Sequence, residues 1–278
     1  MAREPHSPDG RETAPLGQGT WGMGQRDAER AAEVAALRHG LDLGLTLIDT
    51  AEMYADGGAE SVVGEAVAGR RDEVFLVDKV LPHHADRRGT VQACERSLRR
   101  LGTDHIDLYL LHWRGATPLA ETVDSFLRLR DRGLIGAFGV SNLDVSDLEE
   151  LWLVDGGPEC AVNQVLYNLT RRGIELDLLP WCRERGLPVM AYSPIEQGRL
   201  LEDPVLTGVA GRHGVLPAQV ALAWVLRGGE LLAVAKAAAL EHVSANRGAL
   251  DIRLTRQDLA ELDARFPAPD RPVPLEVL

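Results

Sequence analysis

Short apolar runs punctuate the chain at residues 16–20, 46–50, 74–79, 106–112, 135–141, 161–164, 188–193 and 231–236. Most lack polar alternation, as expected of parallel strands buried on both faces. Between them lie amphipathic stretches with readable ends. Thr90 is suited to cap a helix whose apolar stripe is Val91, Cys94, Leu98 and Leu101, closed by Gly102. Pro118 fits a first helical position, with Leu119, Val123, Phe126 and Leu127 as the buried face and Gly133 beyond the end. Ser146 followed by Glu149 reads as a capping box. About eight strands alternating with about eight helices predict an α/β fold, a single-domain (β/α)₈ TIM barrel over residues 16–278. A doubly wound sheet is the second choice. Residues 1–15 form a polar, proline-broken segment, and the proline-rich stretch 267–274 is expected to wrap over the surface.

Composition narrows the function classes. The chain has 278 residues, 45% of them hydrophobic and 26% charged, which is globular composition. A net charge of −12 argues against a nucleic-acid partner, since phosphate tracking needs a basic stripe. No apolar run is long enough for a membrane span, and the N-terminus lacks a signal-peptide core. Cys94, Cys160 and Cys182 are widely spaced, without a metal-ligand pattern or a disulfide frame, so no metal is expected and the cytoplasm is the expected location. Among 30 basic residues only Lys79 and Lys236 are lysine. Such rarity marks them as places where a compact ammonium is wanted and a planar guanidinium is not.

Chemistry in a barrel collects at the C-terminal ends of the strands. The polar residues there are Asp49, Lys79, His112, Ser141 with Asn142, Gln164, Tyr192 with Ser193, and Lys236. Alternation places Leu45, Leu47 and Asp49 on one face, as it does Phe75, Val77 and Lys79, and Leu108, Leu110 and His112. If the apolar members fill the barrel, Asp49, Lys79 and His112 crown it from adjacent strands. Tyr54, on the following loop, can fold back over the same mouth. A buried ammonium needs a partner, and Asp49 is the candidate. Residues 17–22, GQGTWG, match a dinucleotide fingerprint, but a full strand before it and a helix directly after it are missing. Those glycines are expected to serve a close backbone approach after the first strand.

The segments LGQGTWGMG, GLTLIDTAEMY, ESVVGEAV, VFLVDKV, IDLYLLHW, GAFGVSNL, VNQVLYNL, AYSPIEQGRL and AVAKAAALEHVSANRGALDI carry a resemblance. In order and spacing, from Gly17 to about Leu278, the chain resembles the aldo-keto reductase superfamily. The resemblance implies a barrel that binds NADPH, or more weakly NADH, and reduces a small carbonyl substrate. It puts the catalytic tetrad on Asp49, Tyr54, Lys79 and His112. Ser141, Asn142 and Gln164 match positions that bond the nicotinamide carboxamide, and Tyr192 the aromatic beneath the ring. Ser193, Ile195, Gly198 and Leu200 match the pyrophosphate loop, Lys236 and His242 the 2′-phosphate clamp, and Asn246 the adenine end. Thr20 and Trp21 flank the mouth, and Trp21 and Trp113, with Tyr54 and His112, line the substrate pocket.

In that reading Tyr54 donates a proton, Lys79 tunes it, Asp49 keeps Lys79 charged and neutral His112 orients the carbonyl. An ammonium about 4 Å from the phenol at an effective dielectric of about 20 contributes roughly 4 kcal/mol, or about three pKa units. Desolvation opposes it, so a smaller downward shift is expected. The usual Ile-Pro-Lys-Ser clamp is Val-Ala-Lys-Ala at 234–237, and the usual following arginine is His242, which points to a weakened preference for NADPH. Asp78 stands where a small or hydroxyl residue is commoner and should point away from the barrel interior. Short substrate loops imply an open pocket and broad carbonyl tolerance. A monomer or weak homo-oligomer is expected. Two other classes fit the fold: a cofactor-bound regulator with slow or no turnover, and a Schiff-base lyase using Lys79, which a neighbouring Asp49 disfavours by keeping the amine charged.

Overall fold

A computed structural model describes residues 13–278; most of the expected polar segment 1–15 therefore lies outside the described residues. The apolar runs become strands β1 (Leu16–Gly19), β2 (Leu47–Asp49), β3 (Phe75–Val80), β4 (Ile106–Leu111), β5 (Ile135–Ser141), β6 (Asn163–Leu166), β7 (Val189–Tyr192) and β8 (Leu231–Lys236). All neighbouring strands pair in parallel, and β1 closes on β8 with Leu16 opposite Ala233. This is the (β/α)₈ barrel, not the doubly wound sheet. Its helices are α1 (Asp27–Asp42), α2 (Gly58–Val67), α3 (Gly89–Leu101), α4 (Leu119–Asp131), α5 (Val145–Trp152), α6 (Leu178–Arg185), α7 (Pro204–His213), α8 (Pro217–Val225), α9 (Leu240–Gly248) and α10 (Arg256–Arg265). None among the described residues is long and apolar enough to cross a membrane.

The core divides in two. Leu47, Phe75, Val77, Leu108, Leu110, Val162, Met190, Leu232 and Val234 fill the barrel. A larger shell between strands and helices holds the opposite strand faces, among them Ile48, Leu76, Tyr109 and Val165. Leu45 belongs to this outer shell, so the inward alternation of β2 starts only at Leu47. Gly17 makes the close approach expected of a glycine, but within β1: a Cβ there would sit 2.3 Å from the Leu47 side chain.

Helix ends were less legible. α3 starts at Gly89, with Thr90 inside its first turn; Arg88 is the N-cap, and Asp86 just ahead of it accepts from the Arg88 and Gly89 amides. Asp144 and Asp147, rather than Ser146 and Glu149, form the capping box of α5. Both frames exist in the sequence; the chain leaves the end of β5 already at Asn142, so Asp144 is the first side chain to reach the helix start. Pro118 caps α4 from one position earlier than expected. Beyond α10 the chain runs without regular structure over the surface, with Val273 against Gly173.

Candidate active site

The inward face of β3 ends in Lys79, which is fully buried. Its Nζ donates to Asp49 Oδ2 and to the Thr50 carbonyl, each at 2.8 Å, and to the Tyr54 hydroxyl at 3.3 Å. The other Asp49 oxygen accepts from Gln164 Nε2 at 2.7 Å, so β2, β3 and β6 meet in one chain of bonds across the barrel. Burial works against the ammonium, but Asp49 and Tyr54 outweigh it and raise its pKa. Lys79 is thus held as a cation, the wrong state for an imine-forming nucleophile.

Tyr54 reaches the mouth through a sharp turn. Ala55 and Asp56 both have φ of 51° and Gly57 has φ of 91°. Left-handed backbone at a non-glycine residue costs on the order of 1–3 kcal/mol, so the turn is held by its surroundings. Glu52, nearly buried, supplies part of that hold: its carboxylate accepts from the Leu81 amide at 2.9 Å and from Arg96, with His84 Nδ1 2.9 Å away. Nothing in the sequence pattern singled out Glu52. Burial raises the Tyr54 phenol above its ordinary pKa of 10, and Lys79 opposes without prevailing. The expected downward shift is therefore reversed: the barrel mouth desolvates the phenol more than one ammonium compensates.

His112 follows β4 and lies edge-on to Tyr54, ring centroids 5.8 Å apart. Burial and the nearby Lys79 push its pKa down to about 3, so the ring is neutral across the physiological range. Its Nδ1 is buried without a hydrogen-bond partner among the described residues. Trp21, half exposed, meets the Tyr54 ring at 5.0 Å, and Trp113 meets His112 at 4.8 Å. Each indole thus packs against one of the two reacting side chains. The Thr20 hydroxyl is turned elsewhere, donating to the Asp49 carbonyl at 3.0 Å.

Along β5 to β8 the remaining candidates line the same rim. Ser141 donates to the Gln164 carbonyl, Asn142 Nδ2 to the His112 carbonyl and Ser141 Oγ, and the Tyr192 hydroxyl to Asn142 Oδ1. Gln164 Oε1 carries no hydrogen bond among the described residues, an acceptor left for an incoming amide. Ser193 (φ 48°) and Gly198 (φ 88°) shape the loop after β7, and a Cβ on Gly198 would meet nothing nearer than 3.9 Å. Ile195 is half-buried there, whereas the Leu200 side chain is packed into the outer core, leaving only its backbone for a ligand. Lys236 is exposed at the end of β8, without an ion pair among the described residues; His242 is exposed on α9 and Asn246 buried beside it. An amide acceptor, an open glycine cradle and a free ammonium suit the nicotinamide, pyrophosphate and 2′-phosphate of NADPH.

Known proteins resemble the chain along the barrel. The aldo/keto reductase family model matches residues 15–265. The methylglyoxal reductase YeaE of Escherichia coli is 53% identical over 95% of this chain and 94% of its own. The glyoxal reductase of Bacillus subtilis is 33% identical over 88% and 87%. The crystal structure of an aldo/keto reductase from Klebsiella pneumoniae, in complex with NADP and acetate, superposes with a TM-score of 0.98 at 50% identity, covering 100% of both chains. With a matching family model across the barrel, and a buried Asp–Lys–Tyr chain at its mouth, the chain belongs to the aldo/keto reductase family of NAD(P)H-dependent oxidoreductases.

Proposed function

We propose that this protein reduces small aldehydes and α-oxoaldehydes, methylglyoxal among them, to alcohols with NADPH, and that Tyr54 is the general acid. The observation that carries the reading is the fully buried Lys79 bridging Asp49 and Tyr54. When bound, NADPH supplies the hydride equivalent that the carbonyl carbon accepts. The protein's own residues handle the proton and the orientation. Tyr54, kept protonated by burial, donates to the carbonyl oxygen as negative charge develops on it. Lys79 stands beside the phenolate left behind, and Asp49 and the Thr50 carbonyl fix that ammonium in place. Neutral His112 hydrogen-bonds the same oxygen and limits how the carbonyl can sit. Ser141, Asn142 and Gln164 would hold the carboxamide, Tyr192 would support the ring, and Lys236 would meet the 2′-phosphate.

The substrate class follows from the rim. Trp21 packs against Tyr54 and Trp113 against His112, so aromatic faces border the reacting groups, and the relatives named for methylglyoxal and glyoxal support small carbonyl compounds as substrates. NADPH consumption with methylglyoxal tests the reading, with Tyr54→Phe as control. The variant should bind NADPH normally and lose about 10²–10⁴-fold in kcat. Retention of more than a tenth of wild-type kcat would remove Tyr54 from the role. A single ammonium on the 2′-phosphate contributes about 1.5–3 kcal/mol, a roughly 10- to 150-fold preference over NADH. Lys236→Met should abolish most of it.

A further inference from the structure

The loop after β7, residues 193–200, is strained beyond what its glycine explains. Ser193, Glu196 and Gln197 all have left-handed backbone, with φ of 48°, 49° and 54°. Such a loop holds one shape only if side chains over-determine it. Glu196, nearly buried, is the side chain that does so. Its Oε1 accepts from Arg171 Nη2 at 3.0 Å and Nε at 3.2 Å, and from Arg199 at 3.1 Å. Its Oε2 accepts from Asn168 Nδ2 at 2.8 Å. Burial would raise its pKa, but Arg171 and Asn168 prevail and hold it below the ordinary value, so it is an anion.

The partners are themselves fixed. Asn168 is fully buried; it donates also to the Ser193 carbonyl, while its Oδ1 accepts from the Thr170 and Arg171 amides. That turn follows β6 and presents Arg171 to the loop. Arg171 then spans outward to Glu276 on the segment beyond α10. The same segment returns to the cleft, where the Leu278 amide donates to the Tyr192 hydroxyl at 3.3 Å. One guanidinium thus ties the turn after β6, the loop after β7 and the segment beyond α10 together at the rim of the cleft.

We propose that Glu196 and Arg171 are positioning residues for the cofactor: their ion pair holds the 193–200 loop in the shape that receives the pyrophosphate, without touching it. This rests on the reading of that loop as the pyrophosphate site. A carboxylate beside a pyrophosphate would repel it unless neutralised, and Arg171 and Arg199 neutralise it. The pair therefore acts twice, on the backbone shape and on the local charge.

Titration of NADPH fluorescence against the full chain separates the possibilities. Gly198→Val, which forces a β-branched residue into left-handed backbone, tests the loop reading. It should abolish binding, and wild-type affinity there would overturn both that reading and the clamp. Glu196→Ala and Arg171→Ala should each weaken NADPH binding by about tenfold, with the double variant no weaker than the worse single. Their kcat at saturating NADPH should stay near wild type, because the tetrad is untouched. Glu196→Gln, which keeps the Asn168 bond, should fall between Ala and wild type. Without cofactor, trypsin should cut after exposed Arg199 faster in Glu196→Ala than in wild type. Wild-type affinity in both alanine variants, or losses that simply add, would overturn the clamp.

Discussion

On β3, Lys79 and Asp78 are both fully buried, one turned into the barrel and the other toward helices α2 and α3. Lys79 finds a carboxylate, a carbonyl and a phenol within hydrogen-bond reach, and keeps its charge. Asp78 has no close hydrogen bond to either oxygen among the described residues. Burial raises its pKa well above the ordinary value, and the nearby Glu60 adds to the shift. Arg100, close enough to feel the Asp78 charge, is already paired with Glu60. Adjacent residues of one strand thus meet opposite surroundings, a paired ion inside and, outside, a carboxyl whose charged form burial and Glu60 disfavour. What decides is the supply of partners, since isolated charge in an apolar interior is too costly to keep.

Removing the inner cation breaks the comparison most severely. Lys79→Met should lower kcat for carbonyl reduction by about 10²–10⁴-fold and leave the buried Asp49 carboxylate with Gln164 as its remaining hydrogen-bond partner among the described residues, destabilising the fold by about 3–5 kcal/mol. Lys79→Arg should be nearly as damaging to kcat, because a planar guanidinium displaces Tyr54 or Asp49. Steady-state kinetics with urea melts check both. An Arg variant close to wild type would show that charge alone suffices at this position.

The outer acid should speak through stability instead. At pH below the ordinary carboxyl pKa of 3.8, folded and unfolded chains both hold the Asp78 proton and nothing is lost. As pH rises, the unfolded chain releases the proton first, so stability falls until the raised folded pKa is passed. Each unit of that interval costs about 1.4 kcal/mol. Asp78→Asn lacks the titration, so its stability relative to wild type should improve from pH 5 to pH 8. Chemical denaturation at the two pH values measures this, and a constant gap would mean that Asp78 is ionised in the fold.

The smallest effect expected is an absence of change. With His112 neutral down to about pH 3 and the Tyr54 phenol above its ordinary value, kcat should vary by no more than about threefold between pH 6 and 9. A limb with a midpoint near 6.5 would assign a titrating imidazole to the reaction.

Much of this was legible beforehand for a local reason. A strand buried on both faces must be apolar throughout, so the runs marked all eight strands, and alternation placed Asp49, Lys79 and His112 at one mouth. Strand-end position also put Ser141, Asn142, Gln164, Tyr192, Ser193 and Lys236 on the rim and Tyr54 within reach of it, but their roles, and Ile195, Gly198, Leu200, His242 and Asn246 altogether, came only through family resemblance, since position carries no chemistry and a loop no periodicity. Strand ends shifted by a residue or two where the flanking residues are also apolar, as at Ala161 and Val162 before β6. The caps of α3 and α5 were misassigned because neighbouring residues of the same chemistry compete for one helix start.

Sequence by itself determined which residues leave water, because burial follows hydrophobic spacing along the chain. It also determined which polar groups those strands carry to the mouth. Tertiary structure alone decided how those groups meet. Gln164 bonds Asp49 across 115 residues, and Arg171 joins Glu196 to Glu276. It also decided that burial outweighs Lys79 at the Tyr54 phenol, and that neither Asp78 oxygen makes a close hydrogen bond among the described residues. Pairing and desolvation depend on distances set only when β8 closes on β1, and no local pattern contains those distances.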